Sequence, residues 1–122
     1  MIDHVSISVD DFAKALAFYD AALAPLGVQR LITRPDHAGY GVPGRPMFWI
    51  NHVAGQTGGA SGHIAFMADD RAAVDAFHRA ALAGGGRDNG APGLRNYHPS
   101  YYGAFIVDPE GHRIEAVCHR PA

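Results

Sequence analysis

The chain has 122 residues, 48% of them hydrophobic, enough for one packed domain that needs no disulfide or metal staple. Ten basic side chains against twelve acidic ones leave a net charge of −2 with no run of like charge, so neither nucleic acid nor an anionic membrane is an expected partner. No apolar run approaches the roughly 20 residues of a membrane span, the opening MIDHV lacks the regions of a secretory signal, and the single cysteine, Cys118, reads as a small buried hydrophobe. These features point to a cytoplasmic protein whose partner is a small molecule.

In chain order, residues 2 to 9 alternate, with Val5, Ile7 and Val9 on one side and His4, Ser6 and Ser8 on the other, which predicts a strand with one apolar face. Asp10 and Asp11 offer oxygens for a helix start, and Phe12, Leu16, Tyr19, Leu23 and Leu26 then recur at steps of four and three before Pro25 and Gly27 close the helix. Three short strand candidates follow, VQRLITR, HAGYGV and PMFWINH. After the small, glycine-rich connection AGQTGGASG the scheme returns. GHIAFM is the strand, Asp69 and Asp70 the helix start, Val74, Phe77 and Ala81 the stripe, and Gly84, Gly85 and Gly86 the stop. GRDNG, YGAFIVD and HRIEAVC complete the series.

The return is a true repeat. At a constant offset of 59, positions 4 to 27 give 11 identities in 24 pairs, and discarding five alanine pairs leaves His4/His63, Asp10/Asp69, Asp11/Asp70, Phe18/Phe77, Leu23/Leu82 and Gly27/Gly86. The expected fold is therefore α+β. Two tandem βαβββ modules (1–54 and 62–122, with 55–61 as linker) form an open, cupped mixed sheet with the helices outside, as one domain over 1–122.

His4 and His63 fall at equivalent places, both on the strand face that does not carry the core. Glu115 lies between Ile114 and Ala116 in the last strand, where an ionised carboxylate is costly unless paired or bound to a cation. Two imidazoles and a carboxylate suit a divalent metal, with iron, manganese, nickel and zinc all open, and leave positions free for a substrate. Trp49 and Phe48 offer an apolar wall. Arg95 offers a fork for a substrate carboxylate, while Asp108, Pro109 and Gly111 read as a tight turn with His112 solvated. His37, His78 and His119 show no convergent partners.

These residues resemble the vicinal oxygen chelate superfamily, the glyoxalase, bleomycin resistance protein and extradiol dioxygenase group, over essentially the whole chain. The resemblance rests on the paired modules, on DHVSISV with its later AFY, on GHIAF, and on DPEGHRIEAV. It implies metal ligands at His4, His63 and Glu115, and a small substrate chelating the metal through adjacent oxygens. It also implies a homodimer, as in many relatives. Within NYHPSYYGAFIVDPEGHRIE it places His98 beside Glu115 as a catalytic candidate, and Ser6 where relatives carry a threonine hydroxyl. Tyr102, as a further catalytic candidate, and Tyr101, toward the substrate, are the tyrosines near enough to reach the site, with Trp49, Phe48 and Arg95 as the substrate wall read above. Two departures are visible. Phe105 stands where the extradiol pattern has tyrosine, and Trp49 is the repeat partner of Glu115, with no Asp or Glu from His37 to Ala68. Lactoylglutathione lyase activity in the strict sense is therefore not expected. The rival expectation is a metal-free protein that binds a flat, drug-like ligand, in the manner of bleomycin resistance proteins.

Overall fold

The computed structural model describes residues 1–56 and 62–122, so most of the linker expected at 55–61 lies outside the described residues. The first half contains β1 (Val5–Val9), α1 (Phe12–Leu23), a short 3-10 turn (Ala24–Leu26), β2 (Gln29–Thr33), β3 (His37–Val42) and β4 (Arg45–His52). The second contains β5 (His63–Met67), α2 (Arg71–Ala83), β6 (Arg87–Leu94), β7 (Tyr102–Val107) and β8 (Arg113–Cys118). Each half makes a four-stranded mixed sheet, in the orders β1-β4-β3-β2 and β5-β8-β7-β6, with the first strand of each module parallel to the last. The two βαβββ modules of an α+β fold are thus present. The difference from expectation is β6, which runs past GRDNG to Leu94 with two irregularities in its register against β7.

The helices start as their acidic pairs predict, although only the second residue of each pair caps. Asp11 accepts from the Lys14 amide at 3.1 Å and Asp70 from the Ala73 amide at 2.8 Å. Asp10 turns away to accept from the Gly55 amide at 2.6 Å. At the other end of α1, Gly27 closes the 3-10 turn in the left-handed region, φ 76°, which glycine reaches without strain.

One core spans both modules. Phe48 is ringed by Tyr19, Tyr40 and Phe66, the last from the second module, with centroids 5.1, 6.3 and 5.3 Å away. Burial of side chains of this size stabilises by about 2 kcal/mol each. The helices also meet directly. A Cβ at Gly86 would sit 2.9 Å from the Phe18 ring, so the glycine run after α2 makes room for α1 as well as ending its own helix.

The β7–β8 turn is a second link between modules. Asp108 is 3% exposed and accepts from Tyr19 Oη of α1 at 2.5 Å, while His112 Nδ1 donates to it at 2.8 Å. Glu110 takes the Asp10 and Asp11 amides at the head of α1, both at 2.7 Å. Asp108, Pro109 and Gly111 do form the expected tight turn, with the Gly111 amide donating to the Asp108 carbonyl and Gly111 at φ 98°. His112 is not solvated as expected. Its side chain is only 12% exposed, held by Asp108 and lying against the β1 backbone at Ser8. Hydrogen bonding to Asp108 raises the His112 pKa above its ordinary value. Burial pushes the Asp108 carboxyl up, but its bonds to His112 and Tyr19 outweigh that and hold it below the usual range. Cys118 is fully buried, as expected of a small hydrophobe.

Candidate metal and substrate site

Strand alternation sends Val5, Ile7 and Val9 of β1 and Ile114, Ala116 and Cys118 of β8 toward the helices and leaves the other face of each sheet open. On the open face of the second sheet, register places Ala65, Glu115 and Phe105 in one row across β5, β8 and β7. Glu115 is 1% exposed. A bare carboxylate there would be costly, and both of its oxygens are engaged. His63 Nε2 donates to Oε1 at 2.8 Å, and the Tyr101 hydroxyl donates to Oε2 in a very short contact. The loop before β7 sets Tyr101 in place, with the Arg95 amide bound to the Tyr101 carbonyl at 2.9 Å and Ser100 in the left-handed region at φ 62°. Desolvation, followed by the bond to Glu115, pushes the Tyr101 hydroxyl up to about 12, so it stays a donor across the physiological range.

The pair His63–Glu115 has the spacing of two ligands of one ion. Donors about 2.1 Å from a metal and at right angles to one another lie about 3 Å apart, close to the 2.8 Å seen here. The third expected ligand does not join them. His4 precedes β1, is exposed, and its Nδ1 donates to its neighbour Asp3 at 2.7 Å. His4 and His63 do line one groove of about 520 Å³, with Leu26, Val28, Met47 and Phe66 among its apolar walls. Even so, among the described residues no group of three His, Cys, Asp or Glu side chains could hold a metal. The repeat therefore builds two walls, and a single chain brings only two of the three ligands together.

The first sheet carries the matching row, Ser6, Trp49 and Gly39 across β1, β4 and β3. Trp49 is half-buried on the open face, where its indole covers Gly39 so closely that a Cβ there would meet the ring at 2.7 Å. Ser6 is exposed beside it, and the His37 ring lies 6.0 Å from the indole. Phe48 is 1% exposed and turns away from the Trp49 face, because neighbours on one strand point to opposite faces, and it stands behind Met47 in the wall of the 520 Å³ groove.

Tyr102 is a correction, because strand alternation turns it to the helix side. As the first residue of β7 it faces α2, donating to Asp75 at 2.7 Å beneath the Arg71 guanidinium, and does not approach Glu115. His98 is exposed and stacks against the Tyr101 ring at 6.1 Å without bonding Glu115. His119, dismissed from the sequence, edges onto the same ring at 5.2 Å. His37 and His78 also have partners, Asp36 at 2.8 Å and Asp88 at 2.9 Å. Arg95 is half-buried and folded back onto the open face, its guanidinium 5.4 Å from the centre of the Phe105 ring.

The family model described as the Glyoxalase/Bleomycin resistance protein/Dioxygenase superfamily matches residues 1–116. This chain belongs to that superfamily. Among solved structures, a glyoxalase/bleomycin resistance protein from Albidiferax ferrireducens is 34% identical, with a TM-score of 0.85 over 99% of both chains. A glyoxalase/bleomycin resistance protein/dioxygenase family enzyme from Burkholderia phytofirmans is 25% identical, with a TM-score of 0.76 over 97% of this chain and 98% of that one. The fosfomycin resistance protein FosX from Listeria monocytogenes shares the fold at 17% identity, with a TM-score of 0.71 over 97% and 92% of the two chains. No curated protein matches the chain. No helix among the described residues of this superfamily member is long and apolar enough to cross a membrane.

Proposed function

We propose that this superfamily member is a divalent-metal-dependent enzyme acting on a small substrate with adjacent metal-chelating oxygens. The carrying observation is Glu115, a carboxylate shielded from solvent on the open face of a sheet with His63 Nε2 on its Oε1. The proton between those atoms occupies the place of a cation, and the separation fits a shared ion. His63 and Glu115 hold the metal, and His4 completes the set from a second copy in a homodimer, since one chain does not assemble all three. When bound, the ion acts as a Lewis acid toward the chelated oxygens.

The remaining roles follow from the wall. Tyr101 fixes the second oxygen of Glu115 and so directs the first toward the metal, a positioning role of the kind outer ligand partners play. Trp49 provides an apolar face, and Ser6 a hydroxyl beside it. His98, exposed in the loop, is placed to exchange protons with solvent. Tyr102 has no part in the chemistry.

Elemental analysis after metal-free dialysis and reloading tests the reading. Near one equivalent per chain, lost in His63→Ala and Glu115→Ala, is the expected result, and no retention of any of the four candidate ions overturns it. Mixing His4→Ala with Glu115→Ala separates the sites further. If each site spans two copies, statistical exchange restores about one site in four, whereas a site within one chain recovers nothing.

The groove supports a second reading. With apolar walls and about 520 Å³ of space, it suits a flat apolar ligand held without metal. A change in Trp49 fluorescence on adding such a ligand to chelator-treated protein, with the groove variant Met47→Glu insensitive, would favour it.

A further inference from the structure

We propose that Arg95 and Phe105 form a carboxylate subsite beside Glu115, so that the substrate of this enzyme is a small acid whose charged end lies away from the reacting one. The proposal rests on the reading above for the reacting end and on separate observations for the charged one. A loop arginine with no role extends into water and keeps its rotamer freedom. Arg95 does the opposite. Its Nη2 donates to the Ala91 carbonyl at 2.7 Å and its Nη1 to the Leu94 carbonyl at 3.4 Å, which bends the side chain back over β6.

Two glycines clear its path. A Cβ at Gly93 would come within 3.1 Å of Nη1, and one at Gly90, where φ is 150°, within 3.3 Å of Nη2 and 2.9 Å of the Phe105 ring. The guanidinium therefore rests on the Phe105 ring, on the sheet face shared with Glu115, and the same ring lies 6.2 Å from the His63 imidazole. One aromatic side chain thus contacts both a fixed cation and a proposed metal ligand.

The cation is not neutralised. Among the described residues no carboxylate pairs with Arg95, and Glu115 is already held by His63 and Tyr101. Of the five N–H donors of a guanidinium, two go to carbonyls, which leaves three for a ligand. A planar fork with an aromatic ring beneath it matches the two oxygens of a carboxylate, and partial burial strengthens the contact.

Two titrations test this. In metal-free protein, 3-phenylpropionate should give a saturable NMR shift of the Arg95 Nε–H and the Phe105 ring. Its uncharged amide should not, and Arg95→Met should lose the response. Equal shifts from acid and amide, persistence in Arg95→Met, or a larger response to inorganic phosphate would overturn the carboxylate assignment. In metal-loaded protein, the monohydroxamates of succinic, glutaric and adipic acids carry a chelating end and a carboxylate at graded distances. One length should bind about tenfold more tightly than uncharged butyrohydroxamate, an advantage absent in Arg95→Met. Acid binding at Arg95 without metal retention would sink the enzyme reading and leave the subsite standing. Metal retention with no preference for the acid over the uncharged hydroxamate would do the reverse.

Discussion

Two equivalent rows cross the two sheets: Ser6, Trp49 and Gly39 in the first, Ala65, Glu115 and Phe105 in the second. The backbone is duplicated and the chemistry is not. Where the second row sinks a carboxylate among hydrogen-bond donors, the first lays an indole flat over a glycine. Where the second row carries a phenyl ring under a guanidinium, the first has no side chain at all. Duplication supplies two sheets of the same register, and substitution at matching points turns one into a polar, charged wall and the other into an apolar platform. A site between such walls can hold a cation from one side and shape the ligand from the other.

The largest expected effect breaks the second row. Glu115→Gln should weaken metal binding by roughly 100-fold or more in a competing-chelator titration, because the amide keeps the shape and loses the charge. Unchanged affinity would remove Glu115 from the metal and leave the two rows functionally alike. Giving the first row what the second has should do the opposite: Trp49→Glu is expected to tighten metal retention about tenfold if the first sheet faces the ion in the dimer. No gain would put that row out of reach of the metal.

Smaller effects sharpen the contrast further. Gly39→Ala forces a methyl group into the indole, so Trp49 emission should shift to the red at a stability cost of about 1–2 kcal/mol by thermal melting. A blank result would mean the indole does not rest on β3. Least in size is a pH effect on the turn that ties the halves together. The folded His112 pKa lies above 6.5, so its contribution is complete below pH 6.5 and fades as pH rises through the raised value. Asp108 lies below 3.8, so its contribution is present above that pH and is lost as pH falls through the depressed value. Melting temperature should therefore be highest between these limits and decline toward alkaline pH, and Asp108→Asn should flatten both edges. A profile unchanged in that variant would detach the turn from the pH response.

Most of the fold was open to reading in the sequence, because a strand's alternation and a helix's stripe are properties of consecutive residues and the repeat stated each of them twice. The same logic made Trp49 the counterpart of Glu115, whereas His63 stands beside Glu115 through the pairing of β5 with β8, which the strands' own sequences do not state. That logic also carries a signal against Tyr102 as a partner of Glu115, since Tyr102 and Gly103 are neighbours on one strand and neighbours cannot share a face, and it sets Phe48 and Trp49 on opposite sides of β4. Other features belong to the tertiary structure alone. Tyr101 reaches Glu115 from a loop, where no periodicity applies. Arg95 turns inward only because carbonyls and a phenyl ring from other positions receive it. His112 is drawn out of solvent only because Asp108 and the β1 backbone receive it, and His4 stays apart because the packing of two modules is set by contacts distant in sequence. Local patterns fix which face a strand residue takes; which faces and loops then meet depends on how the chain closes on itself.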